Sequence, residues 1–284
     1  MTSLIPASFA SAHTILATLE AKSIRHETPC GDGRIVWREW GQGPVLVLLH
    51  GGYGSWRHWV RNIEFFSAFR RVLVPDIPGL GESADAPDPT PHGIGEVVAR
   101  GLELLVSPGE PVDLVGFSFG ALIGTYMASH YREELYSLTL VGAGALGLKR
   151  ADIILQRTDT IMNDAERLAI HATNLHLLML AEPAKIDALA IVIQDINVKL
   201  ARVKSRRFAK TESLVDVLRD LHPRHLHIIW GEKDAVVAGH FDEREALLRS
   251  IRPDLTFMII KNGGHWISYE QAACFNTELA RILS

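Results

Sequence analysis

Six short apolar runs recur along the chain: VLVLLH (Val45–His50), RVLVPDIPG (Arg71–Gly79), VDLVGFS (Val112–Ser118), SLTLVGAG (Ser137–Gly144), HLHIIWGE (His225–Glu232) and LTFMIIKN (Leu255–Asn262). Each gives way to glycine or to polar turn residues. A continuous apolar run of this length suits a strand buried on both faces. RIVWREW (Arg34–Trp40) alternates instead, as a half-buried strand does. Helical patterns such as ALIGTYMASHYREEL (Ala121–Leu135) lie between the runs, and the first two dozen residues read as a helix packed on the outside. Strands alternating with helices predict an α/β fold with a mostly parallel sheet covered by helices on both faces.

One connection is too long for that pattern. About eighty residues separate Gly142 from Leu226, whereas a crossover helix needs about a dozen. In this segment DAERLAIHATNLHLLML (Asp164–Leu180) reads as helix. A second helix begins near Pro183, with Ile186, Leu189, Ile193, Ile196, Leu200 and Val203 on one face. The chain therefore divides into a core domain, residues 1–144 and 212–284, and an inserted helical cap, residues 145–211. If the second helix continues past Val203, Arg206 and Arg207 reach its buried face. There a guanidinium could grip a substrate carboxylate through two parallel hydrogen bonds. The alternative is that both arginines complement the helix dipole at its C-terminus.

Composition narrows the partners. With 284 residues, 47% of them apolar and 22% charged, the chain can bury a sizeable core. A net charge of −4 argues against nucleic acid, and the densest basic run, KSRR at Lys204–Arg207, has no interleaved aromatics. No apolar run is long enough to span a bilayer. The first residues lack a basic n-region and a clean apolar core, so a cytoplasmic location is expected. Nothing asks for a disulfide between Cys30 and Cys274. The expected partner is a small-molecule substrate. The oligomeric state stays open.

The chemistry centres on GFSFG (Gly116–Gly120), in which a serine stands between two glycines at the end of an apolar strand and the start of a helix. That context makes a sharp strand-to-helix turn which lifts the hydroxyl above the sheet edge. It also leaves the Phe119 N–H at a helix N-terminus, where it can hold an oxyanion. Serine is a weak nucleophile without an oriented base. His265 follows the last strand in a glycine-rich loop, and Asp234 follows the strand before it. Loops at the carboxyl ends of parallel strands gather at one rim, so Ser118, Asp234 and His265 can meet there. A second oxyanion donor is expected from LLHGGYGSW (Leu48–Trp56), with Gly52 N–H first and Tyr53 N–H second.

HGGYGSW, DIPGLGES, GFSFG, WGEKD and GGHW stand in this order over nearly the whole chain from Arg34 onward. In this the sequence resembles the α/β-hydrolase fold superfamily, in the branch that carries a helical cap. The resemblance implies a nucleophile–acid–base triad of Ser118, Asp234 and His265, an acyl-enzyme, and a bracing role for His50 in the oxyanion loop. GGHWISYE resembles the end of the meta-cleavage-product hydrolases, which implies that Trp266 lines the pocket. The chain departs from that group's G-N-S-M-G-G elbow at Phe117, Phe119 and Ala121. It also resembles haloalkane dehalogenases and epoxide hydrolases, but those use an aspartate nucleophile where this chain has Ser118.

These readings converge on a serine hydrolase acting on a small carboxylic ester, thioester or activated carbon–carbon bond, with no metal and no organic cofactor. Substrate contacts are expected from Phe117, Trp266, Arg206 and Arg207. The alternatives are a cofactor-free perhydrolase or haloperoxidase-like enzyme, and a ligand-binding protein without turnover on the same fold. Asp76 reads as a loop brace and Trp56 and Trp59 as core. His171 and His176 read as ordinary helix residues. His222, His225 and His227 suit the start of a strand, since their spacing matches no common zinc signature.

Overall fold

Val45–Leu49 forms a strand with every residue buried, and its side chains alternate between two separate cores. Val45, Val47 and Leu49 join one, and Leu46 and Leu48 the other. Such a strand needs cover on both faces, and the rest of the fold supplies it. The structure, a computed structural model, describes residues 4–158, 163–208, 211 and 213–284. Residue 212, where the second core segment was set to begin, lies outside the described residues, as do 159–162 and 209–210 of the cap stretch.

The strands are β1 (Ile24–Cys30), β2 (Gly33–Trp40), β3 (Val45–Leu49), β4 (Arg71–Pro75), β5 (Val112–Phe117), β6 (Ser137–Val141), β7 (His225–Gly231) and β8 (Thr256–Ile260). They form one sheet in the order β1-β2-β4-β3-β5-β6-β7-β8. The β1–β2 and β2–β4 pairs are antiparallel and all others parallel. The helices are α1 (Leu4–Ala21), α2 (Ile63–Ser67), α3 (Pro91–Glu103), α4 (Phe119–His130), α5 (Asp164–Asn174), α6 (Ala188–Leu200), α7 (Ser213–Arg219), α8 (Phe241–Ile251), α9 (Ile267–Glu270) and α10 (Ala272–Ile282). Side chains of α3, α4, α7 and α8 fill one core; those of α1, α2, α6 and α10 fill the other. Among the described residues no helix is long and apolar enough to cross a membrane.

Two elements differ from the sequence expectation. The edge strand β1 was not foreseen, because IRHETPC carries charge and proline and is largely exposed, as edge strands tend to be. The helix expected over Ile186–Val203 covers only Ala188–Leu200. Pro183 opens a separate 3₁₀ turn, Asp187 caps α6 by accepting the Ala190 N–H, and Ala201 leaves it in an extended conformation. Beyond that, Arg202 and Val203 both donate backbone N–H groups to Gly79 O, at 2.9 and 3.1 Å. The chain is pulled onto the DIPGLG loop, so the apolar stripe does not run on helically to Arg206.

The crossing of β3, β5 and α4 sets the position of the central turn. A Cβ on Gly116 would lie 2.3 Å from Gly120 O, and one on Gly120 would lie 2.4 Å from Leu49 O. Neither partner is a movable side-chain end, so α4 can cross only on glycine. Gly124, one turn further, has only ordinary contacts, with Leu49 Cδ1 at 3.4 Å. Gly120→Ala is expected to cost about 3 kcal/mol or more through overpacking. Gly124→Ala is expected to gain up to about 1 kcal/mol from helix propensity. Urea melts of the two variants check the contrast, and equal effects would mean that the close approach is not limiting.

Candidate active site

The turn between β5 and α4 carries Ser118 at φ 52°, ψ −110°, a conformation that non-glycine residues seldom adopt. Its N–H donates to Val141 O at 2.8 Å, which fixes the turn against β6. The side chain stands at the carboxyl ends of the central strands. His265 Nε2 lies 2.9 Å from Ser118 Oγ, and His265 Nδ1 lies 2.8 Å from Asp234 Oδ2. Because a carboxylate only accepts, the proton belongs on Nδ1 and Nε2 is left to accept from the serine hydroxyl. The other Asp234 oxygen accepts the Val236 N–H at 2.8 Å. Asp234 and His265 are both buried, so water does not compete for these contacts.

The loop after β3 is held by two enclosed imidazoles. Ile77 N–H donates to His50 Nε2 at 2.9 Å, so His50 Nδ1–H donates to Gly51 O at 2.8 Å. Gly51 N–H donates to His58 Nδ1 at 3.2 Å. Both polar groups of Gly51 are thereby occupied. The N–H groups of Gly52, Tyr53 and Phe119, by contrast, have no hydrogen-bond partner among the described residues. Tyr53 takes a positive φ of 50°. Asp76 ties this loop to the next, accepting from Trp56 N at 2.8 Å and from Glu82 N at 2.9 Å. It acts as the brace that the sequence suggested.

Above these groups opens a cavity of about 740 Å³, lined by Gly52, Tyr53, Phe117, Ser118, Phe119 and His265 from below. From above it is lined by the 150–158 segment, His171, Leu178 and Met179, Gln194 and Val198, and Ser205 and Arg206. Three arginines, Arg150, Arg157 and Arg206, are therefore among its lining residues. Burial pushes Arg150 and Arg206 below the ordinary arginine value; Asp234 draws Arg150 back up and the nearby Arg206 works against that. Arginine stays cationic through such shifts.

A family model described as "Alpha/beta hydrolase family" matches residues 46–275. The chain belongs to the alpha/beta hydrolase family. This alpha/beta hydrolase is 34% identical over 107 residues to a Pimeloyl-[acyl-carrier protein] methyl ester esterase of Vibrio campbellii, a match covering 38% of the chain and 40% of that relative's length. It is 25% identical over 272 residues to a 2-hydroxy-6-oxo-6-phenylhexa-2,4-dienoate hydrolase of Burkholderia cepacia, covering 86% of the chain and 88% of that protein. An esterase from Rhodococcus sp. shares the fold with a TM-score of 0.72 at 22% identity, over 91% of this chain and 98% of that one.

Two of the expected substrate contacts are not at the cavity of this alpha/beta hydrolase. Trp266 is fully buried, donates Nε1–H to His58 O at 2.9 Å and stacks on Tyr269 with ring centroids 4.2 Å apart. The indole is a wedge beneath the histidine loop, where its N–H finds a partner. Arg207 turns away, donating to Pro89 O at 3.0 Å, because the short 3₁₀ turn Ser205–Phe208 sends its two arginines in different directions. Arg206 and Phe117 do line the cavity. Sequence reasoning missed Arg150, Met179, Gln194 and Ser205, which belong to no motif. A Cβ on Gly52 would lie 2.1 Å from Ser205 Oγ, a contact that pairs residues far apart in sequence and leaves no local signal.

The enclosed imidazoles make stability depend on pH. Burial lowers His50, and burial with the nearby His50 and His265 lowers His58 well below the ordinary 6.5. On β7, burial and then His225 push His227 down to about 4. The unfolded chain takes up these protons near pH 6.5, before the folded one does. Stability is therefore complete above that value and is lost as pH falls below it. Melting temperature is expected to hold from about pH 8 to about pH 7 and to fall steadily toward about pH 5. His58→Asn, whose amide oxygen can take the place of Nδ1, should flatten part of that slope.

Proposed function

We propose that the protein is a serine hydrolase cleaving a small carboxylic ester, thioester or activated carbon–carbon bond through an acyl-enzyme. The observation that carries this reading is the unbroken hydrogen-bond chain Asp234–His265–Ser118 at the floor of an open cavity. Ser118 Oγ attacks the carbonyl carbon while His265 Nε2 takes its proton. Asp234 holds the Nδ1 tautomer and steadies the imidazolium that forms. The oxyanion accepts from the Phe119 and Gly52 N–H groups, with Tyr53 as the second choice, and their free state supports this. His265 then returns the proton to the leaving group. Water, activated by the same imidazole, splits the acyl-enzyme and releases the acid.

The cap, residues 145–211, selects the substrate, and Arg206 favours one with a carboxylate remote from the scissile bond. Its guanidinium faces the cavity 5.7 Å from the Tyr53 ring centroid, with no carboxylate partner among the described residues. The acid substrate in the name of the Burkholderia cepacia relative is consistent with this and keeps carbon–carbon cleavage as a second reading.

Ser118→Ala and His265→Ala should each abolish turnover of a p-nitrophenyl ester, and the double variant should be little worse than either, because the residues act as a unit. Asp234→Asn should lower kcat by about 10⁴-fold. Steady-state rates with folded variants check this, and additive losses would contradict a coupled nucleophile and base. Arg206→Met should lower kcat/KM for an acidic ester by about tenfold or more while sparing its neutral counterpart. Equal effects on the pair would reject the carboxylate contact.

A further inference from the structure

Behind His265 lies a buried carboxylate that the chemistry above does not use. Glu270 ends α9 and is 2% exposed. Its Oε2 accepts from Gly264 N–H at 2.5 Å and from Ala181 N–H at 3.2 Å, and its Oε1 accepts from Glu182 N–H at 2.7 Å. One donor belongs to the residue before His265, and the other two belong to the strand-like exit of the π-helical turn Leu175–Met179. A fourth bond joins the same two segments, from Trp266 N–H to Met179 O at 2.8 Å. The knot has no spare room. A Cβ on Gly264 would lie 2.7 Å from Ala181 N and 2.9 Å from Glu270 Oε2. Met179 and the adjacent Leu178 line the cavity. The segment that shapes the substrate space is thus bonded through one carboxylate to the loop that aims the imidazole.

We propose that Glu270 is a positioning residue that fixes the Leu178–Glu182 cavity wall and the His265 loop as one rigid unit, so that substrate seating and base alignment share a single register. The inference rests on the hydrolase reading above. Only a carboxylate suits the place, since both of its oxygens accept and three N–H groups converge on them. A glutamine must turn its NH₂ toward at least one of those donors. That leaves a buried N–H unsatisfied and loosens the two segments from each other. Misplacing a base by a fraction of an ångström costs far more in rate than in stability.

The test is the rate at which a fluorophosphonate labels Ser118, normalised to the fraction of molecules that can be labelled, together with hydrogen exchange. Glu270→Gln should slow labelling of folded enzyme by about ten- to a hundredfold. Amide exchange should rise together in peptides covering Leu178–Pro183 and Asn262–Ser268 and stay unchanged across β3 and β5. Labelling at the wild-type rate would overturn the proposal. So would a loss that only follows the unfolded fraction, with exchange raised throughout the sheet. If Glu270→Gln does not fold, Glu182→Pro removes one donor from an exposed position and must slow labelling in the same way. Failure of the wild type itself to label would instead count against the hydrolase reading.

Discussion

A serine held at φ 52° between two glycines is the constraint on which the rest of the structure depends. The strained turn exists because α4 crosses the end of β3 at a distance that only glycine permits, with backbone carbonyls where a Cβ would have to be. Neither the helix nor the strands can relax without losing a buried core on both sides of the sheet. The strain at one residue is thus offset by packing that spans the molecule. Its result is a hydroxyl lifted clear of the sheet and a helix N-terminus directly behind it.

The groups facing that hydroxyl are fixed before any substrate arrives. Two neutral imidazoles hold both polar groups of Gly51, and Asp76 locks that loop to its neighbour. The N–H groups of Gly52 and Tyr53 beside Gly51 have no hydrogen-bond partner among the described residues. The enclosure that lowers the His50 and His58 pKa values is also what leads to the expected loss of stability toward acid pH.

The wall above the site is attached to the sheet at a few polar points rather than by a large apolar seam alone. Ser55 donates to Asn197 of α6 at 2.6 Å, Arg202 and Val203 dock on Gly79, and Glu270 gathers Ala181 and Glu182. The first two end on the loops after β3 and β4, and the third ends on Glu270 at the close of α9, which also holds Gly264 beside His265. The wall is therefore joined to the loops around Ser118 and His265 by specific hydrogen bonds.

The strand runs, the glycine-flanked serine, and the loop positions of Asp234 and His265 were legible in the sequence. Each is a local matter of side-chain chemistry at fixed spacing, and parallel strands bring their carboxyl-end loops to one rim whatever the rest of the chain does. The edge strand β1 was hidden because an exposed edge carries no apolar signature. Where α6 stops was hidden too: periodicity extended the helix, but Gly79 O captured the next two backbone donors. Trp266 could not be assigned from its motif, since whether an indole faces a cavity or a core depends on where its N–H finds an acceptor, here His58 O. The parting of Arg206 from Arg207, and the convergence of three distant N–H groups on Glu270, were decided only by tertiary structure. Partners far apart in sequence leave no spacing to read, and the geometry that joins them exists only once the chain has closed around it.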